Sequence, residues 1–197
     1  MKKKIRPQQL GLAALTAVVA LGVMLSLPMF KAAHQLTPIS GLGGPFTLTN
    51  QMGERVSDKT FLGRPTLYFF GFTHCPDVCP TTLLELSQIV KEFGKDRLNA
   101  VFISVDPARD TPNVLRNYLQ SFEGVTGLTG SPAEIESVIK AFHVYAKKQE
   151  PSSSKVYNVD HTASVFAANA KGDIVMTIGY GEAPDMIKEK INRLLNN

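Results

Sequence analysis

The first 33 residues contain no aspartate or glutamate, and the rest of the chain has no excess of positive charge. The whole sequence carries a formal charge of +4, but five of its 21 basic residues lie in that acid-free segment. The remaining 16 basic and 17 acidic residues leave a net charge of about −1 on residues 34–197. A domain without a positive balance lacks the electrostatic footprint of nucleic-acid binding, so we expect no nucleic-acid partner.

Cysteine is also scarce, and the first of the two cysteines is Cys75, so the N-terminal segment has no lipobox cysteine. The segment instead has a basic start in residues 1–9 and an apolar run in residues 10–30, which is long enough for one transmembrane helix. The candidate cleavage site at residues 30–33 has Phe or Lys where a signal peptidase needs a small residue. We therefore predict an uncleaved membrane anchor with its N-terminus in the cytoplasm.

After the anchor, residues 31–43 form a linker and residues 44–197 form one domain, which we expect in the periplasm, tethered to a bacterial inner membrane. The domain pattern begins with a β-hairpin, continues with buried strands and amphipathic helices, and closes with a second hairpin and a helix. Pro112, a capping box at Ser131 and Pro184 mark three helix starts. This order predicts an α/β fold, compatible with a thioredoxin-like sheet that has an extra N-terminal β-hairpin and inserted elements.

The motif Gly-Phe-Thr-His-Cys-Pro-Asp-Val-Cys-Pro at residues 71–80 links a buried strand to an amphipathic helix. We place Pro80 at the first helical position, so that Cys79 lies where free N–H groups and the helix dipole favour a thiolate. Cysteines at i and i+4 of a helical turn have Cβ atoms roughly 5–6 Å apart, which is wider than the roughly 3.5–4.5 Å of a disulfide. The spacing of Cys75 and Cys79 therefore favours a soft ion such as Cu(I), although a loop could bring the two sulfurs together.

A third ligand must come from elsewhere in the chain, because two sulfurs alone leave the ion under-coordinated, and a zinc site would need four ligands. The chain has four histidines: His34, His74, His143 and His161. His34 lies in the linker and His143 ends a helix, so core or surface roles suit both. His74 points away from the adjacent Cys75 in an extended segment and is a weaker ligand candidate. His161 follows the polar residues 147–155, which we predict to be a mobile loop, and is the best candidate for an imidazole ligand.

Four segments together resemble the Sco/SenC family of copper metallochaperones. They are Gly-Pro-Phe-Thr-Leu at 44–48, Phe-Thr-His-Cys-Pro-Asp-Val-Cys-Pro at 72–80, Ser-Val-Asp-Pro-Ala-Arg-Asp-Thr-Pro at 104–112 and Val-Asp-His-Thr at 159–162. The resemblance implies a thioredoxin-like fold and one copper ion bound by Cys75, Cys79 and His161. It also implies a metallochaperone rather than an enzyme, which assembles the dinuclear copper centre of cytochrome c oxidase subunit II. An upstream periplasmic copper donor or thiol reductant is then a further expected partner.

Two alternatives use the same cysteines. A thiol-disulfide reductase that keeps the cysteines of a partner reduced needs Cys75 and Cys79, but it gives His161 no required role. A peroxidase of the peroxiredoxin kind would combine Cys75 with Thr73 and Arg109, although the usual threonine lies three residues before the cysteine rather than two. The histidine is therefore the residue that separates a copper carrier from a redox enzyme.

Several carboxylates near these motifs have simpler roles. Asp106 and Asp110 lie between a predicted strand and a helix, so helix capping explains them best. Asp106 and Arg109 could alternatively shape a rim that contacts a partner. Asp77 and Asp160 are predicted to be turn residues or supporting carboxylates, and neither is a predicted ligand.

Overall fold

The structure, a computed structural model, describes residues 36–149 and 157–196. The predicted anchor at residues 10–30 lies outside the described residues, and so does the basic segment before it. Within the two described ranges, no helix is both long and apolar enough to cross a membrane. The anchor therefore stays a prediction.

Strands and helices follow one another along the described part of the chain in the predicted α/β order. The strands are β1 (Thr47–Asn50), β2 (Arg55–Ser57), β3 (Thr66–Gly71), β4 (Asn99–Ser104), β5 (Val125–Thr129), β6 (Ala146–Lys148), β7 (Val159–His161), β8 (Val165–Ala168) and β9 (Ile174–Ile178). The α-helices are α1 (Val78–Phe93), α2 (Pro112–Leu119), α3 (Pro132–Ala141) and α4 (Pro184–Leu195). A short 3-10 helix covers Asp58–Phe61.

Seven of these strands form one sheet in the order β2-β1-β5-β4-β3-β8-β9. Strands β3, β4 and β5 are parallel, whereas β8 and β9 form an antiparallel hairpin beside β3. The predicted N-terminal hairpin is β1–β2, which joins the sheet through β5. The inserted elements are α2 with β5, and a separate two-stranded sheet of β6 and β7. Sequence analysis did not identify the strands β5, β6 and β7.

The central strands are buried on both faces, because successive side chains of a strand point to opposite sides of the sheet. In β3, Leu67 and Phe69 belong to the core cluster that includes α1, α2 and α4, while Tyr68 and Phe70 belong to the cluster that includes α3. Burial on both sides explains why this strand reads as a nearly continuous apolar run. The loops that leave the carboxyl ends of β3 and β4 lie at one edge of the sheet, the usual place for a site in α/β folds.

The predicted helix starts at Pro112, Ser131 and Pro184 are confirmed, with Ser131 forming a capping box. The helix after the cysteines begins earlier than predicted. It starts at Val78, so Pro80 is its third residue and not its first. Proline is tolerated there for the same physical reason, because the first four N–H groups of a helix have no intrahelical acceptor.

Residues 36–43, which the sequence assigns to the linker, contribute to the packed unit that begins at Leu36. The N–H of Ile39 donates to the carbonyl of Ile174, and the N–H of Gly43 donates to that of Ala141, each at 2.8 Å.

The segment predicted as a mobile loop, residues 147–155, is partly a strand. Its first residues belong to β6, which pairs with β7 so that Ala146 lies opposite His161, while residues 150–156 lie outside the described residues. His161 is therefore the last residue of a strand rather than part of a loop, which corrects the prediction. Backbone hydrogen bonds form this hairpin, and they do not depend on apolar side chains that a sequence pattern would reveal.

Candidate metal centre

The two cysteines lie where β3 passes into α1, and residues 71–79 are called the cysteine arm below. Cys79 is the second residue of α1 and is fully buried, whereas Cys75 is half-buried in the preceding turn. The N–H of Cys75 donates to the carbonyl of Phe72 at 3.2 Å, which closes the turn. The N–H of Cys79 donates to the Cys75 sulfur at 3.4 Å. One free N–H group of the first helical turn therefore faces the sulfur of Cys75.

Gly71, the last residue of β3, makes room for the buried sulfur. A Cβ atom placed on Gly71 would lie 2.6 Å from the Cys79 sulfur and 2.8 Å from the ring of Phe102. Both distances are shorter than van der Waals contact, so a side chain at this position would displace the sulfur. Glycine is needed here for close approach.

His161 comes from the β6–β7 hairpin, which is called the histidine arm below. Its Nε2 atom lies 3.4 Å from the Cys79 sulfur. Its Nδ1 atom lies 3.0 Å from the carbonyl oxygen of Thr162, which can only accept a hydrogen bond. That contact assigns the ring proton to Nδ1 and leaves the Nε2 lone pair directed at the cysteines. The rings of Phe69 and Phe72 pack edge-to-face on the imidazole, with centroids 6.1 and 5.7 Å away.

The sulfurs of Cys75 and Cys79 and a ring nitrogen of His161 all lie within 4.8 Å of one another. In the part of the chain that the structure describes, no other group of three or more His, Cys, Asp or Glu residues comes together in this way. Two thiolates and one imidazole are the soft donors that suit copper, and the set contains no carboxylate that would suit magnesium or calcium. The three side chains therefore fit a single soft metal ion.

Burial sets the protonation of this site in the metal-free protein. It raises the pKa of the Cys79 thiol well above its ordinary range, and the nearby Cys75 raises it further. This corrects the expectation of a Cys79 thiolate, because placing a charge in the buried core is costly. Burial also lowers the pKa of His161, so the imidazole is neutral near pH 7. A metal ion would have to displace the proton of Cys79, but not one from Nε2 of His161.

His74 and His143 lie outside the ligand group, and so do Asp77 and Asp160. His74 is exposed, and its Nδ1 atom contacts the hydroxyl of Thr73 at 3.0 Å. His143 is exposed just after α3, and His34 lies outside the described residues. The carboxylate of Asp160 accepts a hydrogen bond from Gln149 at 2.7 Å.

The carboxylate of Asp110 does not cap α2, which corrects the sequence interpretation. The cap is Thr111, whose side chain accepts from the N–H of Val114. Asp110 is fully buried and accepts three hydrogen bonds, from the N–H of Thr73 at 3.0 Å and from the hydroxyls of Thr73 and Ser104 at 2.6 Å each. Sequence analysis missed this role, since the partner lies 37 residues earlier in the chain.

Asp106 is a buried ion-pair partner and not a cap. Its carboxylate pairs with Arg109 and accepts a hydrogen bond from the hydroxyl of Tyr157 at 2.8 Å. Sequence analysis did not single out Tyr157. Its position four residues before the candidate ligand His161 is the only signal that could have drawn attention to it.

A family model described as SCO1/SenC matches residues 35–196. The human protein named "Protein SCO1 homolog, mitochondrial" is 39% identical over 155 residues, which cover 76% of this chain and 52% of the human protein. The chain spans about half the length of the first curated relatives that it matches.

Solved structures of Sco proteins are also similar to this chain. A copper-bound structure of ScoI from Bradyrhizobium japonicum is 47% identical, with a TM-score of 0.72 over 78% of this chain and 99% of that one. Copper-bound ScoI from Arabidopsis thaliana is 37% identical, with a TM-score of 0.73 over 79% and 98%. The structure of BsSco, described as a member of the Sco family of cytochrome c oxidase assembly proteins, is 26% identical, with a TM-score of 0.64 over 82% and 98%. These similarities confirm the predicted α/β, thioredoxin-like fold.

Proposed function

The chain belongs to the SCO1/SenC family, and from that premise we propose that it is a copper metallochaperone. One copper ion, the cargo, is held by Cys75, Cys79 and His161. The observation that carries the proposal is the convergence of two sulfurs and one imidazole nitrogen within 4.8 Å. The copper found in the B. japonicum and A. thaliana relatives supports the identity of the metal.

The receiving partner that we propose is the dinuclear copper centre of cytochrome c oxidase subunit II. The description of BsSco as belonging to a family of oxidase assembly proteins supports this choice. A site with two sulfurs and one nitrogen leaves room on the ion for an incoming ligand of the acceptor. Ligands can then be exchanged one at a time, so the copper need not be released as a free ion. The upstream partner is a periplasmic copper donor or a thiol reductant.

We further propose that residues 10–30 anchor the protein in a bacterial inner membrane, with the domain in the periplasm. The apolar length of this segment and the basic residues before it support the proposal. A tether keeps donor and membrane-bound acceptor in one layer, which raises their effective concentration. A reporter fused after Asn197 should be active only if it is one that works in the exported compartment, and activity of a cytoplasmic reporter would contradict the orientation.

A thiol-disulfide reductase is the second candidate function, because both cysteines are free and close together. One observation favours copper binding over it. His161 points its Nε2 atom at the Cys79 sulfur, a contact that a reductase does not need. The peroxidase alternative loses support, since the hydroxyl of Thr73 and the guanidinium of Arg109 are bound to Asp110 and Asp106.

Copper titration of the full chain against a competing chelator tests the proposal. The wild type should bind one copper ion, and His161→Ala should lose at least the roughly 10- to 100-fold in affinity that removal of a supporting partner costs. His74→Ala is the matched control, because His74 is exposed beside the same cysteines and should leave affinity unchanged.

The same variants test delivery in cells. Cells without the protein should lose the oxidase copper centre when copper is limiting and regain it when copper is added. His161→Ala should fail to restore the centre, while His74→Ala should succeed. Full oxidase assembly with His161→Ala in copper-limited cells would contradict the copper-carrier proposal and favour the thiol-disulfide reductase.

A further inference from the structure

The loop between β4 and α2 contacts both arms of the proposed copper site. We propose that Arg109 in this loop is a positioning residue, which holds Tyr157 and thereby fixes the histidine arm against the cysteines. The inference rests on the proposed copper-binding function and assigns a role to residues that are not themselves ligands.

The side chains of Arg109, Asp106 and Tyr157 contact one another, and the Nζ atom of Lys148 in β6 also lies 3.5 Å from the ring centroid of Tyr157. The guanidinium of Arg109 forms an ion pair with the carboxylate of Asp106 and donates to the backbone carbonyl of Tyr157 at 3.0 Å. The same guanidinium lies over the ring of Tyr157, 3.7 Å from its centroid. The hydroxyl of Tyr157 donates a hydrogen bond to the carboxylate of Asp106 at 2.8 Å. Backbone, ring and hydroxyl of one tyrosine are thus all held by two residues of one loop.

This group is largely removed from solvent. The side chains of Arg109 and Asp106 are only 18% and 7% exposed. Removing two charges from water is costly, and breaking such a pair leaves a buried charge without a partner. Only the planar guanidinium can pair with a carboxylate, donate to a carbonyl and stack on a ring at the same time, so lysine cannot replace arginine here.

The histidine arm needs an external attachment. Strands β6 and β7 have three residues each, and in the described parts of the chain they pair with each other and with no other strand. An isolated two-stranded hairpin is marginally stable at best in water. Tyr157 directly precedes Asn158, whose carbonyl accepts the N–H of Gln149 at 2.9 Å, so the Arg109 group holds the hairpin at the end away from His161.

The same loop also reaches the cysteine arm. Asp110, the next residue, accepts hydrogen bonds from the N–H and the hydroxyl of Thr73, two residues before Cys75. Arg109 itself lies 5.6 Å from the ring centroid of Phe72, and Phe72 packs edge-to-face on His161. Adjacent residues of one loop therefore hold both arms, and this sets the separation between the sulfurs and the imidazole.

Hydrogen exchange of the metal-free full chain tests the attachment without copper. Arg109→Lys should speed exchange of the Gln149 and Thr162 amides, which bond within the histidine arm, by about tenfold, while helix α3 keeps its protection. Arg116→Lys is the matched control, because Arg116 is exposed and donates to the backbone of Gln51 in the β1–β2 turn. Unchanged exchange at both amides in Arg109→Lys would overturn the inference.

A milder variant is needed if Arg109→Lys destabilises the whole domain, because a local effect on the histidine arm could not then be recognised. Tyr157→Phe keeps the ring under the guanidinium and removes only the hydroxyl bond to Asp106. Faster exchange confined to the histidine arm in this variant supports the inference. A uniform change across the domain in both variants, with no excess in the histidine arm, overturns it.

A double-mutant cycle on copper affinity then separates positioning from general structure. Arg109→Lys should weaken copper binding by about 10- to 100-fold in the wild-type background, and it should have no effect in the His161→Ala background, where no imidazole remains to be positioned. Equal losses in both backgrounds would overturn the positioning role. If His161→Ala alone leaves copper affinity unchanged, the proposed copper-binding function fails. The hydrogen exchange of the metal-free protein then still decides whether Arg109 positions the histidine arm.

Discussion

The two arms of the site differ in how firmly the domain holds them. The cysteine arm continues β3, which pairs with β4 over six residues and with β8 over four, and it ends at the buried Cys79 in the first turn of α1. The histidine arm is a pair of three-residue strands outside the main sheet. Local opening of such a segment costs far less free energy than opening the core. One fixed pair of sulfurs and one separately attached imidazole suit an ion that must be held and later released.

The largest expected effect comes from removing a ligand of the fixed arm. Cys75→Ala and Cys79→Ala should each abolish tight copper binding and any thiolate-to-Cu(II) charge-transfer band, because a single sulfur cannot retain the ion. His161→Ala should keep both sulfurs and bind copper more weakly, as measured by chelator competition and absorption spectra. Unchanged stoichiometry and spectra in both cysteine variants would show that the site lies elsewhere.

The second prediction concerns pH and contrasts the protonation of the two arms. Burial raises the pKa of Cys79, so its thiol keeps its proton from pH 6 to 8, and copper must displace it. Apparent copper affinity should therefore rise with pH by about tenfold per unit from this thiol alone. His161 adds no pH dependence to the copper affinity above about pH 6.5. Burial lowers the pKa of His161 below its usual value, so the imidazole is already neutral there.

Chelator competition at pH 6, 7 and 8, corrected for protonation of the chelator, measures this slope. An affinity that is flat across the range would mean that Cys79 is already a thiolate or is not a ligand.

A third test perturbs only the fixed arm. Gly71→Ala places a methyl group 2.6 Å from the Cys79 sulfur, and such overpacking should lower the free energy of unfolding by roughly 1–3 kcal/mol and also weaken copper binding. Gly179→Ala is the control, because a Cβ there would meet only the flexible side chain of Glu182 at 3.4 Å or more. Denaturant unfolding of both variants gives the comparison, and equal stability would mean that the sulfur can move aside freely.

The smallest expected effect is a change in protection of one arm by copper. Copper should slow hydrogen exchange near residues 159–162, since binding recruits the imidazole to an ion held by the sulfurs. Amides of α1 beyond Cys79 should change less, because they already bond within the helix. Equal protection with and without copper at residues 159–162 would indicate that the histidine arm is as rigid as the cysteine arm.

Much of the fold was predictable, because its signals are local. The buried strand before the cysteines, the capping box at Ser131 and the closing hairpin were identified from the residues alone, and the structure confirms these elements. Strand β5 was missed because Gly127 and two threonines dilute its pattern. Gly127 is there for packing, since a Cβ atom would lie 2.4 Å from the side chain of Leu119, a contact that no local pattern encodes.

The structure brings together the three side chains that the sequence singled out, but the sequence did not predict their environment. The expected Cys79 thiolate was wrong, because the helix dipole can be inferred from position whereas burial cannot. The expected capping by Asp110 was wrong as well, because Thr111 was available as a cap and the carboxylate had distant partners. Copper ligation by Cys75, Cys79 and His161 stays a prediction.

The sequence by itself determined the order of the helices and of the strands other than β5, β6 and β7, the spacing of Cys75 and Cys79 and the position of the cysteine arm between a strand and a helix. These features depend on neighbours a few residues away. Only the tertiary structure decided that His161 lies against Cys79, 82 residues earlier, and that Arg109 meets Tyr157 across 48 residues. Such contacts are set by how the whole sheet packs, because the energy of each depends on burial and on partners that come together only in the folded domain.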